Sequence, residues 1–90
     1  MKVVVLYRPN SEQGRQAEEY IHEFQHRYKD INLEALNVDS REGVALASLY
    51  DVLQYPAILV LQDNGSVQSM WQGDPLPLMD EVFAYAHSQA

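Results

Sequence analysis

The sequence contains no cysteine, and that absence excludes several kinds of chemistry. Without a thiol, the chain can form no disulfide, offer no thiolate nucleophile and build no cysteine-ligated zinc site. Positive charge is also scarce: 6 Lys and Arg stand against 13 Asp and Glu, which gives a formal net charge of −7. Nucleic acids and anionic membrane surfaces are bound by clustered basic residues, so we expect neither as a partner.

Long hydrophobic runs are missing as well. The N-terminal run, Val3 to Leu6, is too short for the apolar core of a signal peptide or for a membrane span. A cytoplasmic protein is therefore the default expectation. The chain has 90 residues, of which 47% are hydrophobic and 21% charged, and it predicts a single soluble domain over residues 1–90.

The first third of the chain predicts a strand followed by a helix. Residues 2–8 form an apolar, β-branched run that ends at a Pro-Asn pair, which is typical of a buried strand. Asn10 or Ser11 can cap the helix that follows, and Asn10 with Gln13 has the spacing of a capping box. One apolar face of this helix is predicted from Ala17, Tyr20, Ile21, Phe24 and Tyr28.

A second strand and a second helix follow. Residues 31–38 have the composition of a strand. Asp39 and Ser40 are candidate caps, and Asp39 with Glu42 again has capping-box spacing. The apolar face of this short helix is predicted from Leu46, Leu49, Tyr50 and Leu53. A Tyr-Pro pair then breaks the helix.

The last third predicts a hairpin and a helix. Residues 57–61 form a continuous apolar run, typical of a strand covered on both sides, and Asn64-Gly65 supplies the positive φ angles of a hairpin turn. One side of the fourth strand is predicted from Val67, Ser69 and Trp71. The face of the last helix is predicted from Met79, Val82, Phe83 and Ala86. The order βαβαββα predicts an α/β fold in which a four-stranded mixed sheet is flanked by three helices.

Four segments resemble the thioredoxin-like fold superfamily in its short, glutaredoxin-sized form. LNVD at 36–39 resembles the strand end before the second core helix, and YPAILVL at 55–61 resembles the segment around the family's cis-proline. DNGSV at 63–67 resembles the hairpin that follows, and WQG at 71–73 resembles the strand end with its glycine. The resemblance covers nearly the whole chain and implies a cis peptide bond before Pro56.

The family's reactive residues are replaced in this chain. Carried onto this sequence, the nucleophilic cysteine position falls at Ser11 and the resolving position at Gly14, while the buried acid of the thioredoxins corresponds to about Val5. A serine hydroxyl needs an adjacent base to act as a nucleophile, and Glu12 is expected to face solvent. We therefore predict no catalytic residues and no disulfide oxidoreductase activity.

Two histidines, His22 and His26, have the i, i+4 spacing that can hold a metal ion on one helix face. Glu18 or Glu19 is the nearest candidate for a further ligand. The helix pattern is ordinary without one, so a solvated face is the preferred interpretation. Both histidines also lie too far along the helix to activate Ser11. No metal and no cofactor is predicted.

The non-covalent part of the family's site can remain without the cysteines. In the family, the residue before the cis-proline offers backbone hydrogen bonds to an extended peptide or to glutathione, as an added strand would receive them. That residue is Tyr55 here. The predicted recognition surface consists of the former active-site turn, which is Pro9, Asn10, Ser11, Glu12, Gln13 and Gly14, together with Tyr55, Pro56 and Asp74. Its expected partner is a protein or peptide segment.

The resemblance implies three candidate roles. The preferred one is a redox-inactive binding module, because thioredoxin-like proteins without cysteines serve as adaptors and as chaperones in hydrogenase maturation. A glutathione-transferase-like site would use Ser11 to hydrogen-bond a thiolate, but the helical second domain and the basic clamp of those enzymes are not evident. The third role is that of a homo-oligomeric structural subunit joined through a sheet edge or a helix face.

Overall fold

The computed structural model describes residues 1–87. In chain order, its elements are β1 (Lys2–Tyr7), α1 (Glu12–Arg27), β2 (Asn32–Asn37), α2 (Arg41–Leu49), β3 (Ala57–Leu61), β4 (Val67–Gln72) and α3 (Met79–His87). The strands form a four-stranded sheet in the order β2-β1-β3-β4. β1 is parallel to β2, and β3 is antiparallel to both β1 and β4. The predicted α/β fold, with a mixed sheet and three helices, is confirmed.

Two buried clusters lie on opposite faces of the sheet because side chains alternate along each strand. In β1, Val3 and Val5 point to one face while Val4 and Leu6 point to the other. The cluster on the α2 side consists of Val4, Leu6, Leu36, Val38, Ala47, Val52, Ala57, Leu59 and Leu61. The cluster on the side of α1 and α3 consists of Val3, Val5, Ile21, Phe24, Ile58, Val60, Val82 and Ala86. β1 and β3 contribute to both, which explains their continuous apolar runs.

Aromatic rings join α1 to α3 at the edge of the second cluster. The ring centroids of Phe24 and Tyr28 lie 5.0 Å apart, and Tyr28 stacks on Phe83 of α3 at 4.3 Å. The Tyr28 hydroxyl also donates a hydrogen bond to Asp80. Together with the burial of Val82, these contacts confirm the apolar faces predicted for the first and last helices.

The apolar face predicted for α2 is wrong in part. Leu49 and Leu53 are 71% and 83% exposed. The close approach of Gly43 to β2 sets the rotation of the helix, and Leu49 then lies about a third of a turn away from the buried stripe. Leu53 follows the end of the helix. The other two members of the predicted face, Leu46 and Tyr50, pack against the cluster on the α2 side.

A β-bulge changes the alternation predicted for β4. Trp71 pairs with Ile58 and packs partly buried on the side of α1 and α3, edge-on to Tyr85 at a centroid distance of 5.6 Å. The extra residue of the bulge brings Val67 opposite Leu61, which belongs to the other cluster. Trp71 thus packs against the last helix, and the prediction that Val67 shares its side of the strand is wrong.

The hairpin turn between β3 and β4 has one positive φ angle rather than two. Gly65 has a φ of 89°, while Asn64 keeps a negative φ. The side chain of Asn64 accepts hydrogen bonds from the backbone N–H and the hydroxyl of Ser66 at 3.0 and 2.8 Å. These side-chain hydrogen bonds stabilise the turn while Asn64 keeps a negative φ, so the prediction of a positive φ at Asn64 is wrong.

None of the helices formed by residues 1–87 has the length and apolar character that a membrane crossing requires.

Candidate functional site

The turn between β1 and α1 is organised by the hydroxyl of Ser11. Ser11 is the N-cap of α1, and its Oγ accepts a hydrogen bond from the backbone N–H of Gly14 at 2.9 Å. The same Oγ donates to the backbone carbonyl of Arg8 at 2.7 Å. The capping box predicted for Asn10 and Gln13 is wrong, since Asn10 has a φ of 65° and reverses the chain before the helix begins.

A second turn, between β2 and α2, repeats this arrangement. Ser40 is the N-cap of α2, and its Oγ accepts from the N–H of Gly43 at 2.9 Å and donates to the carbonyl of Asn37 at 2.7 Å. The N-cap is therefore Ser40 and not Asp39, so the capping box predicted for Asp39 and Glu42 begins one residue too early. The two turns share the sequence Ser-x-x-Gly, with Glu-Gln between these residues in the first turn and Arg-Glu in the second.

The glycine of each turn leaves no room for a side chain. A Cβ added to Gly14 would lie less than 3.0 Å from the carbonyl oxygen of Arg8, and a Cβ added to Gly43 would lie as close to that of Asn37. Real Cβ atoms essentially never approach a backbone oxygen so closely, so each first helical turn rests directly on the end of its strand. Gly14, which the resemblance assigns to the resolving position, is therefore required for a steric reason.

The loop before β3 lies opposite the first turn, and the two segments border a groove of about 240 Å³, here called the Tyr55 groove. The peptide bond between Tyr55 and Pro56 in this loop is cis. The groove is lined by Tyr7, Arg8, Ser11, Gln13, Gly14, Tyr55 and Pro56. The tertiary structure therefore brings together two segments that are far apart in the sequence.

The loop that carries Tyr55 is fastened to the end of β4. Oε1 of Gln72 accepts hydrogen bonds from the backbone N–H groups of Leu53 and Gln54, at 2.7 and 3.2 Å. The N–H of the residue after Gln72 donates to the carbonyl of Pro56 at 2.9 Å. Residues on both sides of Tyr55 are thus held in place. Within residues 1–87, the backbone N–H and C=O of Tyr55 itself have no hydrogen-bond partner.

A second cavity, of about 650 Å³, adjoins the first turn. Its lining consists of Asn10, Ser11, Glu12, Arg15 and Glu18. The hydroxyl of Tyr7 donates a hydrogen bond to Glu18 at 3.4 Å, and burial together with this nearby carboxylate raises the pKa of Tyr7. Two of the predicted site residues, Pro9 and Asp74, line neither the Tyr55 groove nor this cavity.

The surroundings of Ser11 do not provide for its activation. A nucleophilic serine must pass its proton to a base, but the hydroxyl hydrogen of Ser11 is donated to a backbone carbonyl. Val5, at the position of the family's buried acid, is fully buried and apolar. His22 and His26 are exposed on α1, and residues 1–87 contain no group of three or more His, Cys, Asp or Glu arranged to hold a metal ion. Disulfide exchange through its own cysteines is not available to this chain.

Tyr7 and Arg8 line the groove, although they were not among the residues predicted for the site. Tyr7 ends β1 and Arg8 follows it, at the carboxyl end of the strand. That position was a usable signal, because ligands of open α/β sheets bind beyond the carboxyl ends of strands. Arg8 also links the two Ser-x-x-Gly turns through an ion pair, in which its Nε lies 3.4 Å from Oδ2 of Asp39.

Comparisons with known proteins identify the fold. No protein-family model and no curated protein matches the chain. Thioredoxin 1 from Thermosipho africanus superposes with a TM-score of 0.69 at 15% identity, over 97% of this chain and 91% of that one. A malarial protein superposes with a TM-score of 0.69 at 20% identity, over 97% of this chain and 96% of that one. A chain from a complex of ferredoxin:thioredoxin reductase with thioredoxin f2 has a TM-score of 0.68 at 19% identity, over 96% of this chain and 76% of that one. The present chain has a thioredoxin-like fold and contains no cysteine.

Proposed function

We propose that this chain is a non-catalytic protein-binding module, of the adaptor or chaperone-like kind, that holds an extended peptide segment in the Tyr55 groove. The observation that carries the proposal is that the backbone N–H and C=O of Tyr55 have no partner within residues 1–87, while β4 holds the neighbouring residues in place. An extended segment can pair with both groups, as an added strand does. In the described part of the chain, no hydrogen bond of these two groups has to be broken before they bind.

The walls of the groove favour recognition. Tyr7 and Tyr55 contribute aromatic side chains, which are enriched in protein interfaces. The ring of Tyr55 also packs against the cluster on the α2 side, so its position is set before a ligand arrives. A wall that is already ordered lowers the entropic cost of binding.

The other two roles predicted from the sequence have less support. A transferase-like site needs the Ser11 hydroxyl to donate to a bound thiolate, but its single hydrogen is donated to Arg8. Glutathione at millimolar concentration should therefore leave the melting temperature unchanged. Sedimentation velocity over a range of concentrations tests the homo-oligomeric role. A cytoplasmic location, a single domain and a partner other than nucleic acid or membrane remain predictions from the sequence.

The test selects peptides from a displayed library of random sequences and maps the bound peptide by amide chemical shifts of the isotope-labelled protein. We expect the largest shifts at Tyr55 and Gln13. Hydrogen exchange at the Tyr55 amide should also slow, because that N–H gains a partner. Shifts confined to residues away from the groove, or a library that yields no binder, would refute the proposal.

A matched pair of variants tests the location of binding independently. Gln13 and Gln25 are both exposed on α1, but Gln13 lines the groove and Gln25 does not. Gln13→Trp should obstruct the groove and weaken binding of the selected peptide at least about tenfold. Gln25→Trp should leave the affinity unchanged. Equal affinities of both variants and wild type would exclude the groove as the site. Tyr55 is left unsubstituted because its ring also contributes to core packing.

A further inference from the structure

Arg8 is the only charged side chain among those that line the Tyr55 groove, on a chain whose formal net charge is −7. The side chain of Arg8 is 58% exposed, and that of its partner Asp39 is 66% exposed. An ion pair so open to solvent contributes little to stability. Asp39 therefore binds the guanidinium of Arg8 only weakly.

The ion pair with Asp39 uses Nε of Arg8 and leaves the two terminal nitrogens of the guanidinium available to a ligand. Asp39 meets Arg8 through Nε, and within residues 1–87 the two terminal nitrogens have no hydrogen-bond partner. A guanidinium binds a carboxylate best through two parallel N–H···O bonds, for which these terminal nitrogens can serve. Arg8 thus offers the groove a donor set suited to a carboxylate.

We propose that the segment bound in the Tyr55 groove is acidic, with an aspartate or glutamate side chain that pairs with Arg8 while its backbone pairs with Tyr55. This inference rests on the proposed function and names the class of segment. Charges more than about 8 Å away are largely screened at physiological ionic strength, so the net charge of the chain matters less to that carboxylate than Arg8 and the nearby acids Asp39 and Glu18. A basic side chain at the same place would be repelled by Arg8.

The test is a double-mutant cycle on peptides selected against the wild-type protein. We expect Asp or Glu to be enriched at one position among the selected peptides. Arg8→Gln should weaken the binding of such a peptide about tenfold, as isothermal titration calorimetry measures it. The same variant should change the affinity of a peptide with Asn or Gln at that position by less than about twofold, because the charge partner is already absent.

Arg27→Gln is the matched control. Arg27 is half-exposed and pairs with Glu23 at 3.3 Å, but it ends α1, about 20 Å along the helix from Gly14, which lines the groove. This variant should bind the acidic peptide as wild type does, and circular dichroism checks that both variants are folded. If Gln13→Trp abolishes binding but the peptides show no preference for Asp or Glu, or bind Arg8→Gln unchanged, the inference is wrong and the proposed function stands. If no peptide binds in the groove, both are wrong.

Discussion

The two Ser-x-x-Gly turns have the same internal geometry and different surroundings. In each, the serine Oγ accepts from the glycine N–H at 2.9 Å and donates to a strand carbonyl at 2.7 Å. The first turn faces the loop that carries Tyr55 and lines the groove, whereas the second lines none of the cavities described above. Helix capping and close packing therefore account for the serine and glycine of the former active-site turn.

The comparison teaches where the evidence for function lies. The resemblance assigns Ser11 and Gly14 to the positions of the thioredoxin cysteines, yet Ser40 and Gly43 make the same contacts in a turn that lines neither of the two cavities described above. What sets the first turn apart is the backbone of Tyr55 opposite it, whose N–H and C=O have no hydrogen-bond partner among residues 1–87. Function is therefore better argued from the groove than from the residues that replaced the cysteines.

The largest effect is expected from a side chain at either glycine. Gly14→Ala and Gly43→Ala should each lower the free energy of unfolding by about 3 kcal/mol, because the new Cβ would meet a backbone carbonyl oxygen that cannot move freely. Equilibrium unfolding in urea measures both losses. The direction of the change in unfolding free energy is informative. Helix propensity alone predicts that Gly→Ala raises this free energy by up to about 1 kcal/mol. A gain at Gly14 with a loss at Gly43 would break the structural equivalence of the two turns.

A smaller effect is expected when the capping hydroxyls are removed. Ser11→Ala and Ser40→Ala should each cost about 1 to 2 kcal/mol of unfolding free energy, because a helix N–H loses its acceptor. Ser11→Asp should recover part of the loss, since a carboxylate also accepts from that N–H. Peptide affinity measured on folded Ser11→Ala should stay within about twofold of wild type. A loss of binding without a loss of stability would instead assign Ser11 a role in recognition.

The smallest effect, and one of opposite sign, concerns a hydroxyl that makes no hydrogen bond. The hydroxyl of Tyr20 is buried and unpartnered within residues 1–87. Tyr20→Phe removes a polar group that lost its water on folding, so it should raise the free energy of unfolding by about 0.5 to 1 kcal/mol at neutral pH. Thermal and urea unfolding measure this gain, and a loss above about 1 kcal/mol would show that the hydroxyl has a partner after all.

The same variant has an expected dependence on pH. Burial, with a further contribution from Glu81, raises the pKa of Tyr20 above its ordinary value of 10.0. The folded state therefore holds this proton more tightly than the unfolded state, and the resulting stability is present below about pH 10 and is lost as the pH rises further. Tyr20→Phe should consequently lose less stability than wild type between about pH 9 and 11, which urea unfolding across that range measures.

Much of the architecture could be predicted from local sequence patterns. The continuous apolar run at 57–61 predicted the bounds of β3, and the spacing of Ile21 and Phe24 predicted the buried face of α1. The core assignment of Leu49 and Leu53 is wrong because the apolar residues of α2 lie on more than one face, as the 56% exposure of Val44 shows, so that periodicity defines no single phase. Periodicity identifies the most hydrophobic face of a helix, but it does not predict that a small residue such as Gly43 lies against the sheet and sets the rotation of the helix.

The candidate site was predictable only in part. The former active-site turn and the Tyr55 segment were found through a resemblance, and the structure brings them to one groove. The position of Arg8 at the carboxyl end of β1 was a usable signal, but the sequence does not show which segment lies opposite this arginine. Its importance comes from the loop opposite, which joins the site through the folding of the sheet.

By itself, the sequence determined the order of strands and helices, the absence of thiol chemistry and the acidic charge of the chain. These properties depend on composition and on contacts between near neighbours. The tertiary structure decided that Arg8 and Tyr55 share a groove. It also decided that, within residues 1–87, the backbone of Tyr55 has no hydrogen-bond partner. Both properties depend on segments that are distant in the chain, and the pairing of β1 with β3 in one sheet brings these segments together.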